Sequence, residues 1–175
     1  IRQIRTLNQL DRELWKTYAK QHHWQVVFDL GNGKSENLNT HQTLTYSLGN
    51  TSTSDINITF ANDDFIQVNQ AANEAMVKQA IEWLELKSSD QLLDLFCGLG
   101  NFSLPIARII DKVVGIEGVQ TMVDKAKINA KDNRLSNCHF YQADLNNTWL
   151  EKDWVKGCFT KVLLDPARAG AEQAV

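Results

Sequence analysis

Four short apolar runs in this chain end in a carboxylate: Gln91 to Leu95 carries Asp94 near its tip, Val113 to Glu117 ends in Glu117, His139 to Asp144 in Asp144, and Lys161 to Asp165 in Asp165. Each run has the length and composition of a buried strand. In an open parallel sheet, ligands bind beyond the carboxyl ends of the strands, so four acids at neighbouring tips would line one cleft. One such acid alone reads as a strand terminator that caps the next helix. Four in succession favour a binding site.

Between the first and second runs stands Asp94-Leu95-Phe96-Cys97-Gly98-Leu99-Gly100-Asn101. Gly98 and Gly100 permit a tight backbone path and a close approach by a ligand that side chains would block. The apolar residues Phe102, Leu104, Ile106, Ile109 and Ile110 predict a helix over 102–110, with Asn101 near its start and Pro105 in its first turns. A glycine pair after a strand is a weak signal, shared by any tight strand-to-helix turn. Glu117 strengthens it, because an acid at the end of the next strand, about twenty residues on, can grip ribose hydroxyls.

Charge decides which adenosine cofactor fits. A dinucleotide would set its pyrophosphate against this first turn, where Asp94 repels it, and Ser103 occupies the place of the third glycine of that fingerprint. S-adenosylmethionine has no phosphate. It carries an ammonium and a sulfonium, which carboxylates in a partly water-excluded pocket attract. The residues therefore predict methyl transfer.

The segments Asp94 to Phe102, Gly115-Ile116-Glu117-Gly118, Leu164-Asp165-Pro166-Ala167-Arg168-Ala169-Gly170 and Phe65-Ile66-Gln67-Val68-Asn69 together resemble the RNA uracil-C5 methyltransferases. The likeness runs from about Asp63 to the end and is loose before it. It implies an α/β, Rossmann-like class I S-adenosylmethionine-dependent methyltransferase fold, present as its first four parallel strands and preceded by a small α+β region. Carried over position by position, it implies cofactor contacts at Gln67, Phe96, Asn101, Glu117, Asp144 and Asp165. Glu117 can accept both ribose hydroxyls, Asp144 can accept from the adenine amine, and Phe96 can offer an apolar surface. By themselves, Gln67 also reads as a solvated loop amide, Asn101 as a helix N-cap and Phe96 as core.

The likeness further implies 23S ribosomal RNA as the substrate, and a cysteine thiolate that adds to uracil C6 so that C5 can take the methyl group. The family's Ser-Cys-Asn-Pro type segment is absent, so that nucleophile and the general base are expected after Val175. An iron–sulfur cluster (4Fe-4S) and an RNA-binding domain are expected before Ile1. No catalytic residue and no metal ligand is assigned within the chain. Transfer RNA as substrate stays open. So does an amino-methyltransferase using Asp165-Pro166, although Arg168 stands where those enzymes carry an aromatic residue. Outside catalysis, a nucleotide-binding module is the competing reading.

The 175 residues, 43% apolar and 22% charged, suffice for one or two small domains with a core. Residues 1–62 read as part of a small α+β domain, and 63–175 as the N-terminal part of the cofactor domain. Ile1 to Leu7 is expected as a strand, Gln9 to Trp24 as helical, and Gln25 to Leu30 as a strand before Gly31-Asn32-Gly33. Thr43 to Leu48 and Ile56 to Phe60 are expected as strands, and Asn73 to Leu86 as a helix burying Met76, Val77, Ala80, Ile81 and Leu84.

Cys97, Cys138 and Cys158 lack paired or metal-ligand spacing and read as free thiols of a reducing compartment. No apolar run is long enough to cross a bilayer and no signal peptide opens the chain, so a cytoplasmic location is expected. A net charge of −3 argues against unaided grip on nucleic acid. Lys125, Lys127 and Lys131 read as a solvated helix face, and His22 and His23 as surface residues. The chain begins at Ile1 and stops soon after the fourth strand, which reads as a piece of a longer protein. Its last strand would then leave an apolar edge, and self-association through that edge is expected.

Overall fold

A computed structural model of the chain describes residues 6–31, 34–39, 43–49, 55–145, 147, 149, 152–166 and 170–172. The contacts divide the chain into two compact units, 1–44 and 45–175.

In the first unit, α1 (Gln9–Gln21) starts at Asn8, whose side chain accepts from the Asp11 backbone while Asp11 reaches back to the Asn8 N–H. This reciprocal pair satisfies two donors that a helix start leaves open. Strands β1 (Val27–Gly31) and β2 (Lys34–Asn37) pair antiparallel, and Phe28, Val26, Leu38 and Ala19 form their small core. The turn at 32–33 and most of the strand expected over 1–7 lie outside the described residues, and Thr6 and Leu7 are not in a strand. His22 and His23 are exposed at the end of α1.

The second unit is built on four parallel strands: β5 (Gln91–Leu95), β6 (Lys112–Glu117), β7 (Cys138–Gln142) and β8 (Lys161–Leu164), in the order β7-β6-β5-β8. Leu92, Val113 and Phe140 point to one face, where Val77, Leu104, Ile106, Val123 and Ala126 pack on them. Leu93, Leu95, Val114 and Ile116 point to the other, covered in part by Phe96, Trp149, Trp154 and Phe159. Burial on both faces explains why β5 and β6 read as unbroken apolar runs instead of alternating ones.

Helix α2 (Gln70–Leu84) begins three residues earlier than the apolar spacing suggests, because the Asn69 side chain caps it at Ala72. The buried stripe runs through Asn73, Val77, Ile81 and Leu84 at three- and four-residue spacing, and Met76, about 100° round the helix from Val77, faces solvent. Helix α3 is only Ser103–Ala107. The chain tightens after it, with Arg108 and Ile109 donating to Pro105 and Ile106, and Asn137 Nδ2 donates to the carbonyls of Ala107 and Ile110. Those bonds satisfy the helix end without the further turn that Ile109 and Ile110 suggest.

Strands β3 (Leu44–Leu48) and β4 (Ile56–Phe60) form a two-stranded ribbon. Helix α4 (Gln120–Asp132) and the residue that ends it hold the backbone of β4 with two asparagine side chains. Asn129 accepts from Thr59 N–H and donates to Thr59 C=O, at 2.9 and 3.2 Å, while Asn133 does the same with Asn57 at 2.9 and 2.6 Å. Four residues of helix rise about 6 Å and two residues of strand about 7 Å, so the two side chains meet alternate strand residues in step. Lys125, read from the sequence as solvated, instead pairs with Asp64, whose side chain is only 6% exposed, at 2.6 and 2.8 Å.

Asn129→Ala strips buried backbone groups at Thr59 and Leu99 of their partner. It should cost about 2–3 kcal/mol. Urea unfolding checks this as a lowered midpoint with an unchanged slope.

Candidate cofactor site at the strand tips

The register of the sheet brings the acids together. Leu95 lies beside Ile116 and Leu164, and Ile116 beside Tyr141, so Phe96, Glu117 and Asp165 follow adjacent strand ends. Ala143 N–H, just beyond β7, donates to the Glu117 carbonyl at 3.1 Å, and Asp144 follows two residues past the strand.

Asp94 is the centre of this group. It is 1% exposed, and Ser103 Oγ donates to its Oδ2. Its Oδ1 is buried and has no hydrogen-bond partner. Its pKa is raised to about 7, chiefly by burial and further by the charges of Asp165 and Glu117, with the hydrogen bonds from Ser103 opposing the shift. Asp165 lies exposed just beyond β8, and partial desolvation there shifts its pKa upward from its ordinary value.

The turn after β5 is shaped by three left-handed residues: Phe96 (φ +67°), Gly98 (φ +54°) and Gly100 (φ +92°). A Cβ at Gly100 would lie 2.9 Å from Leu104 Cγ, whereas one at Gly98 would meet nothing within 4 Å. Gly100 is therefore fixed by packing, and Gly98 by its backbone angle and an open side facing outward. Left-handed Phe96 is a strain that the glycine pattern does not reveal. Glu117 braces the turn, accepting from Gly98 N–H at 3.1 Å and from Val119 N–H at 3.0 Å. Each of its oxygens keeps a lone pair for another donor.

The remaining expected contacts are placed less uniformly. Asp144 is exposed and accepts from Asn147 Nδ2. Asn101 does not cap α3, whose N-cap is Phe102; its amide is engaged with Asn73 and Tyr46. Gln67 is half-buried between Ile66, which packs on the core, and the start of α2, and no hydrogen bond ties it to the acids. Arg168 lies outside the described residues. Sequence reasoning missed Ser103, Asn73 and Tyr46 as parts of the site. The one available signal was Asn73, a polar residue on the apolar stripe of α2.

The donor set suits a cation and opposes an anion. A buried carboxylate oxygen without a partner, flanked by two more acids, would be stabilised by an ammonium or sulfonium and destabilised by a phosphate. The thiols do not compete for that role: burial pushes Cys138 up to about 12 and Cys97 well above its ordinary value, with the nearby acids adding to both shifts. Among the described residues, no group of His, Cys, Asp and Glu could hold a metal ion, and no helix is long and apolar enough to cross a membrane.

The parallel sheet, its helices and the acid-lined turn define a partial Rossmann-like methyltransferase fold. A tRNA (uracil-54, C5)-methyltransferase from Pyrococcus abyssi, solved with S-adenosyl-L-homocysteine, shares it with a TM-score of 0.63 at 22% identity, over 83% of this chain and 36% of that one. Residues 12–175 match the family described as tRNA (Uracil-5-)-methyltransferase, and the chain belongs to that family. Among curated relatives, the 23S rRNA (uracil(1939)-C(5))-methyltransferase RlmD of Colwellia psychrerythraea is 50% identical over all of this chain and 38% of its own length. The RlmD of Psychromonas ingrahamii is 45% identical over 98% of this chain and 38% of its own. The chain thus spans well under half the length of these relatives.

Because Asp94 binds its proton more tightly when folded, the unfolded chain releases a proton first as pH rises from about 4 to 7. Stability from this group therefore falls across that window and stays lower above it. Asp94→Asn, which can still accept from Ser103, should abolish that fall. Thermal midpoints of both proteins at pH 4.5 and 8 check the difference.

Proposed function

We propose that the protein to which this chain belongs methylates uracil C5 in 23S ribosomal RNA with S-adenosylmethionine. The observation that carries the reading is the gathering of Asp94, Glu117 and Asp165 around one glycine turn, with a buried Asp94 oxygen left without a donor. The relatives named for 23S rRNA support the choice of substrate.

When bound, the cofactor would supply an electrophilic methyl group on positively charged sulfur. Glu117 accepts from the ribose hydroxyls with the lone pairs that Gly98 and Val119 leave. Asp144 accepts from the adenine amine, and Phe96 walls the cofactor with its ring. Asn101 and Gln67 offer amide donors, and Asp94 and Asp165 supply the negative field at the cationic end. The thiolate that adds to uracil C6 lies outside residues 1–175 in this reading, since none of Cys97, Cys138 and Cys158 stands in a Ser-Cys-Asn-Pro type segment, and burial holds Cys97 and Cys138 protonated. The general base, a 4Fe-4S cluster and a cytoplasmic location belong to the same proposal for the whole protein. Residues 63–175 form the start of its cofactor domain, and residues 1–62 part of a smaller α+β domain.

The family description names transfer RNA, which favours tRNA as the second substrate reading. Methylation of 23S and tRNA transcripts by the whole protein separates the two. Strand β8, at the sheet edge with Val162 50% and Leu164 39% exposed, is proposed as the surface through which this stretch self-associates. A monomer in light scattering at high concentration counts against that part.

Glu117→Ala should weaken S-adenosylhomocysteine by about 1.5–3 kcal/mol, because it removes charge-assisted bonds. It also releases the Gly98 N–H, so a modest loss of melting temperature should accompany the loss of affinity. Calorimetry with S-adenosylhomocysteine and with NAD checks both the variant and the reading. Tighter binding of NAD to the unaltered protein would defeat the methyltransferase proposal.

A further inference from the structure

Asn101 is held by a closed set of hydrogen bonds. Its Oδ1 accepts from Tyr46 Oη and from Asn73 Nδ2, both at 2.9 Å, and its Nδ2 donates to Asn73 Oδ1 at 2.8 Å. An amide oxygen has two lone pairs and an amide nitrogen two hydrogens. Both lone pairs of Asn101 are therefore used, and one N–H remains.

Each partner is itself fixed. Asn73 is 1% exposed on the inner stripe of α2, so its amide cannot turn to solvent. Tyr46 stands on β3, its ring 5.9 Å from that of Phe60. Burial raises the Tyr46 pKa far above its ordinary value, which keeps the phenol a donor at any working pH. The reciprocal pair with Asn73 holds the Asn101 amide in place, and the Tyr46 O–H, which has no other acceptor among the described residues, selects the arrangement in which the Asn101 oxygen accepts and an N–H is left over.

We propose that Asn73 and Tyr46 are positioning residues that convert Asn101 into a dedicated hydrogen-bond donor for the carboxylate of the cofactor's amino-acid moiety. The inference rests on the reading of the site as an S-adenosylmethionine site. A cleft whose charged groups include Asp94, Glu117 and Asp165 repels that carboxylate and must hold it with neutral donors, and the spare N–H of Asn101, next to Gly100 in the turn, is such a donor. Without Asn73 the Asn101 amide is free to rotate and present its oxygen, which opposes a carboxylate.

Two ligands differing in this moiety provide the test: S-adenosylhomocysteine, which has the carboxylate, and 5′-methylthioadenosine, which lacks the whole amino-acid portion. Asn73→Ala and Tyr46→Phe should each weaken S-adenosylhomocysteine about five- to tenfold and change 5′-methylthioadenosine less than about twofold. Asn73→Ala added to Asn101→Ala should cost little more than Asn101→Ala alone, because the first acts through the second. Equal losses for both ligands, additive losses in the double variant, or unchanged S-adenosylhomocysteine affinity would overturn the proposal. Tyr46→Phe, which removes one hydroxyl, carries the test alone if Asn73→Ala does not unfold cooperatively. An unaltered protein that binds NAD and not S-adenosylhomocysteine would defeat the parent reading and this one with it. Failure confined to the variants defeats this one only.

Discussion

A carboxylate taken out of water needs donors, and Asp94 receives its hydrogen bonds from Ser103 while its Oδ1 is left without a partner. Much of the local architecture follows from that deficit. Ser103 must reach back to the tip of β5, so the chain between them must reverse within a few residues. Phe96, Gly98 and Gly100 take left-handed angles to do it, and Glu117 holds the reversal by accepting from Gly98 N–H. Asp94 is held half-satisfied beside Glu117 and Asp165, and in the proposed function a positively charged ligand would relieve what the fold leaves uncompensated.

Around this charge the protein uses neutral amides as fasteners. Asn129 and Asn133 grip alternate residues of β4, Asn137 closes the end of α3, and Asn73 pairs with Asn101. Amides suit the task because each carries a donor and an acceptor in one plane and can match a peptide group or another amide without introducing charge. Asn129 also donates to the Leu99 carbonyl, which ties the glycine turn to the same helix that holds the ribbon. The ribbon β3–β4 is consequently joined to the cofactor sheet, although in sequence it precedes it and reads as part of a separate region.

The turn is thus supported from several sides: by Glu117 at the tip of β6, by Ser103 at the start of α3, by Asn129 from α4, and by Asn73 with Tyr46 from α2 and β3. Such support would serve the proposed task of orienting a small cofactor, since a loosely held donor loses much of its value. Gln67 stands apart from this bracing, and its proposed role depends on the cofactor reaching it.

The sequence by itself determined the four parallel strands, the position of the acids at their tips, the glycine turn and the family. Those features are local: strand length, apolar content and short spacings survive in one dimension. It misjudged Met76, Lys125, the length of α3 and the capping role considered for Asn101. Each of these depends on which partner the fold brings within reach. The core packs on the Asn73 and Val77 face of α2 and leaves Met76 outside, Asp64 captures Lys125, Asn137 ends α3, and Asn73 claims Asn101. Only the tertiary structure decided these, because a side-chain amide or ammonium has no preferred neighbour until distant residues are folded against it.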